Sequence, residues 1–257
     1  MDSLNHCDLD SARAALAAKI FDQGVHYRIL FVGRSDQGGT GLTACLCRAL
    51  RNLGHHVFDL NLEKHIDLTE PPRNAVGEDL PLLLKSLEFD RFCAKLEPQI
   101  IMLCADGLTF DAQYAQQLKQ HGVVLIGINL HPPQSVTSLQ TYTHLFDFYT
   151  TSQPRALRLY HSAGLHNMLY MPFAFDRAAI TQMPVAERNR KMTVKALRRI
   201  AASHLFEHRW MAFMETIFNC SPDTTPWLTD ERIASIRHTL LQSLPRCKQV
   251  IVSGFYG

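Results

Sequence analysis

Arg28-Ile-Leu-Phe-Val-Gly33 is a short apolar run that stops at a glycine. The glycine-rich turn Arg34-Ser-Asp-Gln-Gly-Gly-Thr-Gly41 follows, and a helical pattern then fills residues 42–54. Strand, glycine turn and helix in this order open the first βα unit of nucleotide-binding α/β domains. Glycines let backbone N–H groups come close to an anion, and the helix N-terminus adds partial positive charge at the same place.

The rest of the chain continues the alternation. A helix is predicted over residues 9–23, capped by Asp10 or Ser11 and stopped by Gly24. Short strands are predicted over 56–60, 99–104, 123–129, 146–150 and 168–171, with helices over 82–96, 110–121 and 154–163 between them. Residues 61–81, polar and containing Pro71-Pro72, read as an irregular loop. Strands alternating with helices through short connections predict an α/β fold, a doubly wound parallel sheet covered on both faces. Ligands of such sheets sit at the carboxyl ends of strands, which makes 33–41, 105–107, 129–133 and 151–153 the candidate rim.

Beyond Asp176 the pattern changes. Residues 187–202 read as a basic helix carrying Arg188, Arg190, Lys191, Lys195, Arg198 and Arg199. A helix from Ser203 has the apolar stripe Phe206, Trp210, Phe213, Met214 and Ile217, which predicts packing of that stripe on the sheet domain. Residues 219–226 are a linker, a third helix spans 229–244 behind Thr229 or Asp230, and Val250-Ile-Val-Ser-Gly254 resembles the start of another strand and glycine turn.

Composition limits the function classes. With 46% hydrophobic and 19% charged residues among 257, the chain has the material for a sizeable core. A formal net charge of +2 gives no argument for nucleic acid as partner. The seven cysteines are scattered without C-x-x-C spacing, which fits a reduced, cytoplasmic setting. No secretion signal is read at the start, and no apolar run approaches the ~20 residues of a membrane helix.

Three motifs carry candidate chemistry. Gly33-x-x-x-x-Gly38-Gly39-Thr40 nearly spells a phosphate-binding loop, but Gly39 occupies the lysine position, so the charge facing β- and γ-phosphates is missing and nucleotide hydrolysis is disfavoured. The turn either holds a sugar or diphosphate or is a tight turn starting a helix. His131, just past the strand at 123–129, is placed for general-base work, with a turn set by Pro132 and Pro133 as the alternative. His204-Leu-Phe-Glu207-His208 matches the H-x-x-E-H pattern of inverted zinc peptidases; the alternative is the wet edge of an amphipathic helix, and no metal site is assigned. The basic face 188–199 reads as a solvated helix surface, with docking of a phosphate-rich partner as the minority reading.

The order of several segments resembles a known family. Arg28-Ile-Leu-Phe-Val-Gly33, Cys47-Arg-Ala-Leu-Arg-Asn-Leu-Gly-His-His-Val57 and Gly122-Val-Val-Leu-Ile-Gly-Ile-Asn-Leu-His-Pro132 are similar to the amino-terminal domain of the spore-maturation CgeB-like glycosyltransferases. So are Phe146-Asp-Phe-Tyr-Thr-Thr-Ser152, Tyr160-His-Ser-Ala-Gly164 and Leu169-Tyr-Met-Pro-Phe-Ala-Phe-Asp176. The resemblance covers about residues 27–176 and implies the Rossmann-like half of a GT-B architecture, which transfers sugar from a nucleotide donor without a metal or further cofactor. It implies that Gly33, Ser35, Gly38, Gly39 and Thr40 line the cleft and that His131 acts as base. Where the family shows an acidic turn, this chain reads Asn129-Leu-His-Pro132.

The family's second domain has no room between Asp176 and Ser203. The expected organisation is therefore an amino-terminal helical arm (1–26), the Rossmann-like domain (27–176), basic and amphipathic helices (177–219), and a linker, helix and terminal strand (220–257) that reads as the start of a truncated domain. The expected function is a glycosyltransferase-like protein, incomplete or inactive alone, whose partners are a nucleotide sugar, a sugar acceptor or a protein supplying a donor domain. The alternative is a non-catalytic module that docks a partner protein, with a zinc peptidase as a distant third.

Overall fold

A computed structural model describes residues 26–33, 42–61, 82–84, 87–104, 108–129, 136–172, 174, 196, 199–200, 203–218, 220–221 and 223–241. Ser35, Gly38, Gly39, Thr40 and His131 lie outside the described residues, as do the predicted helix at 9–23, most of the basic segment and the terminal strand at 250–257.

Six strands form one sheet: β1 (Arg28–Gly33), β2 (His56–Asn61), β4 (Ile100–Cys104), β6 (Val124–Ile128), β7 (Phe148–Thr151) and β8 (Met168–Tyr170). Their order is β2-β1-β4-β6-β7-β8, and every neighbouring pair is parallel. The first five strands follow the flavodoxin-like 2-1-3-4-5 order, with a sixth added beside the fifth. The doubly wound parallel sheet expected from the sequence is the fold observed.

Period-two alternation divides the core between the two faces. Ile29, Phe31, Ile100, Met102, Val124, Ile126, Ile128 and Phe148 bury one face. That face is covered by α1 (Leu42–Asn52), α6 (Phe206–Phe218) and α7 (Asp230–Leu241). Leu30, Val32, Ile101, Leu103, Leu125 and Tyr149 bury the other, under α2 (Leu87–Leu96), α3 (Ala112–Gln120) and α5 (Pro154–Ser162), with the short α4 (Val136–Gln140) beside them. Each such side chain contributes about 1.5–3 kcal/mol on burial. This is why central strands read as near-continuous apolar runs.

Helix ends follow local chemistry. Asp111 caps α3 by accepting from the amides of Gln113 and Tyr114 at 2.9 and 3.2 Å. Pro154 opens α5, and Thr229 Oγ1 accepts from Arg232 N at 3.2 Å at the start of α7. Gly122 and Gly164, at φ 84° and 86°, take the left-handed conformation that ends α3 and α5.

Two predicted helices are shorter than the pattern suggested. The segment 82–96 divides into a strand β3 (Leu82–Leu84) and α2, and the segment 110–121 gives up its first residue to β5 (Leu108–Phe110). β3 and β5 pair in parallel as a separate two-stranded sheet. Three apolar residues in a row do not distinguish strand from helix; only the distant partner does. Likewise, the strand predicted over 146–150 starts at Phe148, because a 3₁₀ turn at Thr143–Leu145 precedes it.

The carboxyl-terminal stripe packs as predicted. Phe206, Trp210, Phe213 and Ile217 all join the core of the α1 face, and Trp210 is only 4% exposed.

Candidate functional site

The two edges of the main sheet differ in what they carry. At the amino edge α7 occupies the strand starts. Arg232 reaches the backbone carbonyls of Lys119 and Val123 at 2.9 and 2.6 Å. Its guanidinium also grips the Asp147 carboxylate in a two-pronged contact, Nε to Oδ1 at 2.8 Å and Nη2 to Oδ2 at 2.6 Å. Asp147, with no solvent exposure, also accepts from Leu125 N at 2.9 Å, and its backbone carbonyl accepts from Trp227 Nε1 at 3.0 Å. The Lys119 ammonium is 3.6 Å from Oδ1. Burial pulls the Lys119 ammonium below its ordinary pKa, and the Asp147 carboxylate only partly opposes this. Gln99 adds a further tie, accepting from Arg28 N at 3.1 Å and donating to Thr239 O at 3.0 Å. These polar groups hold one another and tie α7 to the amino ends of β4, β6 and β7.

The carboxyl edge is where the strand order reverses. From β1 the chain moves to β2 on one side, and β4 lies on the other. Gly33 ends β1 in register with Asn61 of β2 and Cys104 of β4. A topological switch point of this kind leaves a crevice outside the strand ends, because the two flanking connections diverge to opposite faces. Of the residues expected to form the cleft, Gly33 sits at this switch point; Ser35, Gly38, Gly39 and Thr40 lie outside the described residues. β5 begins four residues after β4 ends, and β3 pairs with it in parallel.

Further along this edge the strands finish in polar side chains. Asn129 follows β6, and Thr150 and Thr151 end β7; all three are buried. Thr151 Oγ1 accepts from Gln153 N at 3.3 Å, shaping the turn into α5. Apolar strand interiors with amide and hydroxyl groups at their ends suit a site that orients a polar ligand against a rigid sheet. Asn129 and Thr151 fall in the rim expected from the sequence, and Thr150 falls in the strand expected over 146–150.

The H-x-x-E-H residues are arranged differently from a helical metal site. His204 precedes α6, and its Nδ1 lies 3.3 Å from Ser203 Oγ and 3.4 Å from an Arg209 nitrogen. His208 Nδ1 accepts from Leu205 N at 3.2 Å. Glu207 is 2% exposed and accepts from Asn52 Nδ2 of α1 at 3.0 Å. The motif joins α6 to α1 in the described structure. Among the described residues, no group of three or more His, Cys, Asp or Glu side chains is placed to hold a metal. No helix among them is long and apolar enough to cross a membrane.

Two constellations were not read from the sequence: the Arg232–Asp147–Lys119 cluster and the pair of half-buried His55 with buried Trp210. Each joins residues more than eighty positions apart, and neither has a local spacing signal. No protein-family model, curated protein or solved structure matches this chain.

Proposed function

We propose that the chain is a glycosyltransferase-like protein that holds a nucleotide sugar or its acceptor at the β1–β4 switch point. One observation carries this reading: the order of a six-stranded parallel sheet reverses at Gly33, where the glycine-rich turn begins. At the amino ends of the strands Arg232 and Gln99 are engaged with backbone carbonyls, and the ligand is assigned to the carboxyl ends, where sheets of this kind hold theirs. The packing of Trp210 and Phe213 on the sheet agrees with a helix that returns to this domain, as in the resembled family.

In the proposed reaction the backbone N–H groups of Gly33, Ser35, Gly38, Gly39 and Thr40 face the diphosphate or sugar, where aligned amides stabilise negative charge. His131 takes the proton of an acceptor hydroxyl as that oxygen bonds to the anomeric carbon. The bond from that carbon to the diphosphate breaks, and the nucleoside diphosphate departs with the bonding electrons. No metal and no cofactor beyond the donor are part of the scheme. A reduced, cytoplasmic setting belongs to it, with Cys45, Cys47, Cys93 and Cys220 as free thiols.

The test is release of UDP, GDP or dTDP from a panel of sugar donors by the purified chain, alone and with candidate acceptors. Release that disappears in Gly38→Val and His131→Ala supports the reading. Silence across the panel, with a donor-binding partner chain also supplied, rejects it.

A second reading is a non-catalytic module that docks a partner protein. Its favouring observation is that α6 and α7 cover the same sheet as α1, so the described residues provide one doubly wound layer and no second one for a donor. A stable partner in sedimentation and pull-down, without turnover, is its signature.

A further inference from the structure

We propose that α6 is held on the sheet by an acid-sensitive latch centred on His55, so that mild acid frees the helix and bares Trp210 while the sheet stays folded. The geometry of the ring motivates this. His55 lies between α1 and β2 and stacks on Tyr27, ring centroids 5.3 Å apart and 28° from parallel. Trp210 of α6 meets it edge-on at 6.1 Å. Trp210 Nε1–H donates to His55 Nε2 at 2.9 Å, and the backbone N–H of Tyr27 is directed at Nδ1 from 3.3 Å. Both ring nitrogens therefore face N–H donors. A neutral imidazole can give Trp210 a lone pair. An imidazolium donates from both nitrogens and meets a donor at each.

The surroundings add to the cost of a charge. Burial is the largest cause pushing the His55 imidazole down, to about 3, and the nearby His26 and His56 push it the same way. His26 is itself buried, and its Nδ1 has no hydrogen-bond partner among the described residues. The groups set around His55 come from each element there: His26 and Tyr27 ahead of β1, His56 opening β2, and Trp210 of α6. Glu207, one turn earlier on α6, has an oxygen engaged by Asn52 of α1.

The sign follows from linkage. The docked His55 titrates below the ordinary histidine value of about 6.5, so the undocked state binds one more proton between that value and about 3. Docking is at full strength above the ordinary value. Below it, the undocked-to-docked ratio rises up to about tenfold per pH unit. The α7 ties to the sheet through Arg232, Asp147 and Gln99 contain no histidine, so α6 is the element that yields first.

The chain has two tryptophans, so Trp227→Phe leaves Trp210 as the sole indole reporter. In that background, emission and far-UV circular dichroism are followed from pH 8 to 3. The expected result is a red shift of Trp210 at higher pH than the loss of dichroism. His55→Gln, an uncharged acceptor, is expected to move that shift to lower pH, whereas Glu207→Gln leaves it in place. Coincident emission and dichroism changes, or a midpoint unmoved by His55→Gln, would overturn the latch. Should His55→Gln not fold, the His55 ring is titrated by NMR in the Trp227→Phe protein. Protonation near pH 6.5 with Trp210 still buried refutes the proposal, and a neutral ring for as long as Trp210 stays buried upholds it.

Discussion

Replacing Arg232 with Met tests whether α7 is a structural part of the sheet domain or only an appendage. The substitution keeps most of the aliphatic stem and leaves the apolar contacts of Ile233, Ile236 and Leu240 in place. It removes two hydrogen bonds to a carboxylate with no solvent exposure and two more to the backbone carbonyls of Lys119 and Val123. Taking one partner from a buried ion pair costs about 3–5 kcal/mol, because the remaining charge is stranded. Here Leu125 N and the Lys119 ammonium still face Asp147, which favours the lower end, about 3 kcal/mol. At about 2–4 °C per kcal/mol for a chain of this size, the midpoint should fall by roughly 6–12 °C. Urea unfolding followed by circular dichroism should show a lower midpoint with an unchanged slope. Asp147→Asn combined with Arg232→Met should recover part of the loss, since the buried carboxylate charge is then gone, and the Lys119 ammonium left without that carboxylate limits the recovery. A single-variant cost under about 1 kcal/mol, or strict additivity in the double variant, would refute the reasoning.

The remaining predictions are local. Gly127→Ala should destabilise by about 1–3 kcal/mol through overpacking, because an added Cβ would fall within the Tyr149 ring on the adjacent strand. Thermal unfolding measures this, and Gly127→Ala in a Tyr149→Leu background should be milder. Asp111→Ala should cost about 1 kcal/mol by freeing the amides of Gln113 and Tyr114, with faster hydrogen exchange confined to the first turn of α3. Gly122→Ala should cost about 1 kcal/mol or more. The residue sits at φ 84°, and its Cβ would lie 2.9 Å from Thr239 Oγ1 of α7. Chemical denaturation reads that loss, and Gly164→Ala, at φ 86° with open space around it, isolates the backbone share.

The sequence carried much of the layer plan. Apolar runs of strand length at β1, β4 and β6 have neighbours on both faces, and a strand buried on both sides cannot alternate with polar residues. The stripe through Phe206, Trp210 and Phe213 announced a packed helix because α-helical spacing places those positions on one side. Gly33 at the end of β1 was legible for the same local reason: an apolar run followed by a glycine turn is a contiguous signal. β3 and β5 were not legible, because each is three residues long and gains its strand identity from the other, more than twenty residues away.

What the chain determined by itself was therefore whatever periodicity and turn chemistry can encode within a dozen neighbouring residues: the elements, their buried sides and the glycine where the first strand stops. Tertiary structure decided the rest. It put β1 between β2 and β4, turned Glu207 toward Asn52, and brought Arg232 to Asp147 and Trp210 to His55. Those pairings rest on hydrogen bonds and desolvated charges whose strength depends on distance in space, and sequence separation leaves no local trace of them.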